Sequence, residues 1–202
     1  MNADEIKRLL QWSRQCDINL IIDESFLDFA DAENLSLLSE QVLKENKNLY
    51  VVKSISKSYG VPGIRLGILA SGNTDMIGRL KKDVSIWNIN SMAEFFMQIL
   101  DKYKSDYTDS LRKIKEERSR FLNELCAIKN LKVYPSQANY FMCEILDGIS
   151  SEELAGRLLK ENILIKDLTG KIHNGKQYIR IAIRGEEENR ILVEKLKVCM
   201  KQ

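Results

Sequence analysis

The chain has 202 residues, 44% hydrophobic and 30% charged, enough to bury one sizeable core or two small ones. With Lys+Arg at 31 and Asp+Glu at 29, the formal net charge is +2 and the two signs are interspersed, which argues against a nucleic-acid-binding face. No apolar run approaches the ~20 residues of a membrane span. Cys16, Cys126, Cys143, Cys199 and the single His173 share no metal-ligand spacing, so the cysteines read as reduced thiols of a cytoplasmic protein.

In chain order, Ile6, Leu9, Leu10 and Trp12 recur at helical spacing and predict an amphipathic helix from about Asp4 to Cys16, too charged for a signal peptide. Asn19-Leu20-Ile21-Ile22-Asp23-Glu24 is an apolar run ending in two carboxylates, the pattern of a buried parallel strand that delivers a side chain to the carboxyl edge of a sheet. A carboxylate in that position is also a common turn cap. A helix is expected from Ser36 to Lys44, then a short strand over Leu49-Tyr50-Val51-Val52-Lys53.

That strand feeds Ser54-Ile55-Ser56-Lys57-Ser58-Tyr59-Gly60 and Val61-Pro62-Gly63-Ile64-Arg65-Leu66-Gly67. Hydroxyls and a guanidinium in one turn can hold a phosphate, and the Lys57 amine can form a Schiff base with an aldehyde. The same residues also describe a strand, a Gly/Pro turn and a solvated lysine. Asp23 favours the first reading, because pyridoxal 5'-phosphate requires both a Schiff-base lysine and a carboxylate that keeps the pyridine nitrogen protonated. Beyond the turn, Ile64 to Ala70 reads as a strand and Thr74 to Lys82 as a helix capped by Asn73 or Thr74. This alternation predicts a parallel or mixed α/β sheet.

From Ser91 the pattern lengthens into helices over Met92 to Tyr103 and Tyr107 to Ile128, the second with a charged, solvated outer face. Strands follow near Leu131 to Tyr134, Tyr140 to Ile145, Ile163 to Lys166 and Tyr178 to Ile183. Helices over Ser151 to Glu161 and Glu186 to Met200 complete an open-faced sandwich. The fold class expected is therefore α/β, with residues 1–105 in one domain and 106–202 in a smaller one.

Asp23-Glu24-Ser25-Phe26-Leu27-Asp28-Phe29, Ser54 to Lys57 and Arg65 together resemble the fold-type I, pyridoxal-phosphate-dependent aminotransferases of class I/II. Within these the chain is most similar to the branch of histidinol-phosphate aminotransferases and threonine-phosphate decarboxylases. The likeness continues through Trp87-Asn88-Ile89-Asn90-Ser91, Pro135 to Phe141, and Tyr178 to Arg184 with Asn189 beyond. It implies part of the family's large-domain sheet followed by the small carboxyl-terminal domain. Lys57 becomes the Schiff-base lysine and Asp23 the partner of the pyridine nitrogen; Ser54, Ser56 and Arg65 bind the cofactor phosphate. Arg180 binds the substrate carboxylate, with Arg184 beside it for a substrate that also carries phosphate.

The resemblance further implies an amino-acid or phosphorylated amino substrate, transamination as the leading reaction with decarboxylation as the alternative, and a homodimer. Phe26 stands where many relatives carry a tyrosine that hydrogen-bonds the cofactor's phenolic oxygen. Losing that donor is expected to raise the Schiff base's pKa. The family's glycine- or serine-containing phosphate loop, ring-stacking aromatic and asparagine have no counterpart before Asp23. The chain is therefore expected to be the carboxyl-terminal part of a longer enzyme that retains cofactor weakly. A third reading, from a different class, is a catalytically silent folding or dimerisation module of a larger bifunctional protein.

Overall fold

The structure, a computed structural model, describes residues 1–32 and 35–200. It is an α/β protein whose two compact units, Met1–Asp109 and Ser110–Gln202, each carry a sheet.

The first unit begins with α1 (Ala3–Gln15). Its end is closed by a capping box in which Asn2 Oδ1 accepts the Glu5 N–H while the Glu5 carboxylate accepts the Asn2 N–H. Leu10 on this helix packs with Leu37, Leu49 and Val51. β1 (Leu20–Asp23) runs parallel to β2 (Leu49–Ser54), which pairs antiparallel with β3 (Gly67–Ser71), giving a mixed sheet in the order β1-β2-β3. The central strand β2 has Leu49 and Val51 fully buried, whereas β1, the segment read as a buried apolar run, lies at the edge of the sheet with Ile21 exposed. Because Asp23 sits in register with Val52, the ends of β1 and β2 reach the same carboxyl edge of the sheet.

Two elements start later than the sequence pattern predicts. α2 covers only Glu40–Glu45, because the Glu24 carboxylate holds the Ser36 hydroxyl and the Leu37 N–H at 2.8 and 2.6 Å and keeps that stretch out of the helix. Ser39 then caps the shorter helix by accepting the Val42 N–H. β3 starts at Gly67 rather than Ile64, since Pro62–Ile64 form a single 3-10 turn and Arg65 has a left-handed backbone at φ 53°. The remaining helices of this unit are α3 (Ile55–Ser58), α4 (Thr74–Asp83, capped by Asn73) and α5 (Ser91–Ile99, capped by Asn90). α6 (Lys104–Cys126) follows a 3-10 turn over Leu100–Tyr103.

In the second unit β4 (Leu131–Val133), β5 (Tyr140–Ile145), β6 (Lys166–Asp167) and β7 (Gln177–Ala182) form an antiparallel sheet in the order β4-β5-β7-β6. One face is covered: Phe141, Cys143, Ile145, Ile179 and Ile181 pack against Phe121 and Leu125 of α6, Leu154 and Leu158 of α7 (Ser151–Lys160), and Leu192, Val193 and Leu196 of α8 (Glu186–Cys199). The strand expected from Ile163 shrinks to two residues, as only Lys166 and Asp167 reach register with β7. Ser150 is the cap of α7 and accepts the Glu153 N–H. Among the described residues no helix is long and apolar enough to cross a membrane.

Candidate active site

The carboxyl edge of the first sheet gathers the chemistry. Asp23 ends β1, and its Oδ1 accepts the Ser25 N–H at 2.8 Å, closing a local turn. Ser25 Oγ in turn accepts the Ser54 N–H at 2.9 Å, which ties the end of β1 to the end of β2. Immediately after Ser54 the chain makes the single turn of α3, which carries Ser56 and Lys57. Ile55 N–H donates to Leu66 O at 3.1 Å, and the buried Ser56 hydroxyl donates to the same oxygen at 3.4 Å. The loop bearing Arg65 is thereby folded back over the turn.

A cleft of about 620 Å³ results, lined by Asp23, Ser25, Val52, Lys53, Ser54, Ser56, Lys57 and Arg65 together with Pro62 and residues 66–69. Asp23 is held below the usual carboxylate range, first by the Ser25 hydroxyl, against the opposing effect of burial, and further by the Ser25 N–H and the charge of Lys57. It is thus an anion at neutral pH, close enough to feel Lys57. Lys57 Nζ lies 4.3 Å from the centroid of the Phe26 ring, so Phe26 presents an aromatic face to the amine and no hydroxyl. Arg65 is exposed and its left-handed backbone is an uncommon conformation for a residue with a Cβ, held by the neighbouring turn.

Arg180 and Arg184 belong to the second unit. Arg180 projects from β7 with its guanidinium 5.1 Å from the Tyr140 ring centroid, and it lines a separate cleft with Lys166, Asp167 and Lys171. Arg184 follows the end of β7 and pairs with Glu188 at 2.7 Å, so its charge is already engaged at the start of α8. Asn189 is almost fully buried and structural: its amide bridges Arg184 O and Glu117 Oε1. Trp87 is 88% exposed, while Asn90 caps α5 and donates to Ile64 O.

Sequence reasoning passed over Ser25. An Asp-x-Ser spacing at a strand end is the signal for the turn that makes it part of the cleft. It also passed over Lys166 and Lys171, whose grouping with Arg180 depends on the pairing of β6 with β7.

The sheet edge brings an anionic carboxylate, two amines, three serines and a guanidinium into one cleft, a donor set that suits a phosphorylated aldehyde cofactor. The chain belongs to the family described as aminotransferase class I and II, whose profile matches residues 1–196. It is 37% identical over 179 residues to the CMP-5'-(3-aminopropyl)phosphonate synthase of Streptomyces rubellomurinus, covering 88% of this chain and 28% of that protein. Identity is 36% to the L-serine phosphate decarboxylase of Campylobacter jejuni (88% and 47% covered) and 31% to the threonine-phosphate decarboxylase of Salmonella typhimurium (91% and 49%). Among solved structures, the histidinol-phosphate aminotransferase of Clostridium acetobutylicum superposes with a TM-score of 0.89 at 30% identity, over 98% of this chain and 59% of that one.

The chain thus spans about half or less of the length of these curated relatives. Against the reading of it as a cut-off carboxyl-terminal piece, the family match takes in residues 1–196, nearly the whole chain. The helix ahead of Asp23 lies inside that match and is a capped element packed into the core. Homology to these enzymes supports pyridoxal 5'-phosphate as the cofactor, and the donor set fits it: an anion, an amine, and hydroxyls with a guanidinium for phosphate, all on one cleft.

Proposed function

We propose that this protein is a pyridoxal 5'-phosphate-dependent decarboxylase of a phosphorylated hydroxy amino acid, of the O-phosphoserine or O-phosphothreonine type. The observation that carries the cofactor assignment is the shared cleft of Asp23 and Lys57. The choice of reaction is supported by the two phospho-amino-acid decarboxylases at 36% and 31% identity.

The bound cofactor would supply an electron sink, and the chain's own residues do the rest. Lys57 provides the amine that holds the aldehyde carbon. Asp23, kept anionic by Ser25 and by the charge of Lys57, retains the proton on the ring nitrogen. Ser54, Ser56 and Arg65 hold the cofactor phosphate. Phe26 packs against the amine and leaves the phenolic oxygen one donor short. Lys57, once released as its ammonium, would deliver a proton to the substrate's α carbon, and Arg180 would bind the substrate's carboxylate; Arg184 would serve the phosphate by exchanging its exposed pair with Glu188 for the ligand. The unit Met1–Asp109 acts as the cofactor-bearing domain and Ser110–Gln202 as the small domain of a cytoplasmic homodimer.

A histidinol-phosphate aminotransferase is the second reading, favoured by the 0.89 TM-score to the Clostridium acetobutylicum enzyme. The two separate on a substrate panel. With added pyridoxal 5'-phosphate, O-phosphoserine or O-phosphothreonine is expected to release carbon dioxide, and Lys57→Ala to abolish the release. Amino transfer from histidinol phosphate to an oxo acid without carbon dioxide would replace the first reading by the second. Neither product would sink both.

A further inference from the structure

The turn that carries Lys57 is too short to orient itself. α3 has four residues, and the hydroxyl of its N-terminal flanking residue, Ser54, makes no capping hydrogen bond. A single helical turn is intrinsically unstable without outside contacts. Its two flanks lead to one carboxylate, Asp28. On the amino side, Lys53 at the end of β2 places Nζ 2.5 Å from Asp28 Oδ1, with only 14% and 17% of the two side chains exposed. On the carboxyl side, Tyr59 stacks on Tyr107 at 3.9 Å with the rings nearly parallel, and the Tyr107 hydroxyl donates to Asp28 Oδ2 at 2.9 Å. Tyr59 is braced further by an edge-on contact with Phe96. Asp28 thus has both oxygens engaged, one toward each end of the turn.

We propose that Asp28, through Lys53 and Tyr107, is a positioning residue that fixes the Lys57 turn against the sheet edge. Asp28 itself lines no part of the cleft, and it acts only by clamping both flanks of α3. The charge state is suited to this. Burial alone would raise the Asp28 pKa, but its surroundings, with the hydrogen bonds from Lys53 and Tyr107 and the charge of Lys53 among them, outweigh burial and hold it below the usual range, so the clamp is ionised at neutral pH. The purpose assigned to the clamp rests on the role of Lys57 proposed above.

The test uses the full chain and the variants Asp28→Asn, Asp28→Asn/Lys53→Met and Tyr107→Phe. Asp28→Asn leaves a largely buried ammonium uncompensated and lowers Tm. The double variant removes that charge as well and regains most of the Tm, because replacing both members of a buried pair costs far less than replacing one. Amide hydrogen exchange is read at Tyr59 and Gly60, whose N–H groups bond back to Ile55 O and Lys57 O. Loss of a charge-assisted clamp is expected to speed this local exchange by about tenfold or more in both Asp28 variants. Tyr107→Phe, which buries no new charge, is expected to move it in the same direction by less.

A double variant that regains Tm and also regains parental exchange at Tyr59 and Gly60 would show that Asp28 serves stability alone and would overturn the inference. Unchanged exchange in Asp28→Asn would do the same. Preferential borohydride trapping of pyridoxal 5'-phosphate on Lys57, located by mass spectrometry in the parent chain, tests the function of Lys57 separately. Failure there would remove the proposed chemistry and leave the exchange result standing.

Discussion

Glu24, next to Asp23, anchors Ser36 and Leu37 ahead of α2, and its removal has a calculable cost. The residue is 4% exposed, and its two oxygens accept the Leu37 N–H and the Ser36 hydroxyl. Hydrogen bonds to a charged acceptor contribute about 1.5–3 kcal/mol each, so Glu24→Ala, which loses both, should destabilise the first unit by about 3–6 kcal/mol. Glu24→Gln should cost much less. Its amide oxygen still accepts from Leu37, and its NH₂ donates to Ser36 Oγ, which already acts as an acceptor for the Leu38 N–H. Only the charge assistance is lost, about 1–2 kcal/mol in all. Urea unfolding followed by far-ultraviolet circular dichroism measures both. An alanine variant within about 0.5 kcal/mol of the parent, as for an ordinary surface change, would refute the anchoring argument. So would a glutamine variant as unstable as the alanine one.

Phe121 is fully buried between α6 and the second sheet, so Phe121→Ala should cost about 3–5 kcal/mol, read by loss of helical circular dichroism on heating. Glu117 makes the second unit acid-sensitive. Its carboxyl is held below the usual range, chiefly by the forked hydrogen bonds from Arg120 and, against burial, by the Asn189 amide. With the folded pKa below the unfolded one, its stabilisation is present above the ordinary carboxylate pKa and is lost as pH falls through the folded value. Glu117→Gln should therefore flatten the fall in stability on acidification, and an unchanged pH slope would count against the pairing. On the proposed assignment, Phe26→Tyr adds a donor at the phenolic oxygen and should lower the pH midpoint of the cofactor's visible band. A midpoint that stays put would take Phe26 out of contact with that oxygen.

Much of the candidate site was readable because it is local. Ser54, Ser56, Lys57 and Arg65 fall within one turn and its return, and Asp23 closes an apolar run whose parallel pairing with the next strand brings the two ends together. What was not readable depends on contacts between distant residues or on backbone shape. The Asp28–Lys53 pair and the Tyr107 hydroxyl join residues that look like ordinary surface charges and helix aromatics until the sheet is formed. The start of α2 moved because a buried carboxylate 12 residues earlier captured Ser36, an effect that local helix propensity does not contain. Strand β3 was drawn too long because the apolar pattern at Ile64 hid the left-handed break at Arg65. The exposed pair of Arg184 with Glu188, one helical turn away, likewise appears only once α8 is in place.

The measurement closest to the central claim is an absorption spectrum of the purified chain titrated with pyridoxal 5'-phosphate, for the parent, Lys57→Ala and Asp23→Asn. The parent should develop a visible band that borohydride reduces and traps on Lys57. Lys57→Ala should show no such band, and Asp23→Asn should bind with a band whose pH dependence differs from the parent's. A parent that never colours, or a Lys57→Ala variant that colours equally, would contradict the account.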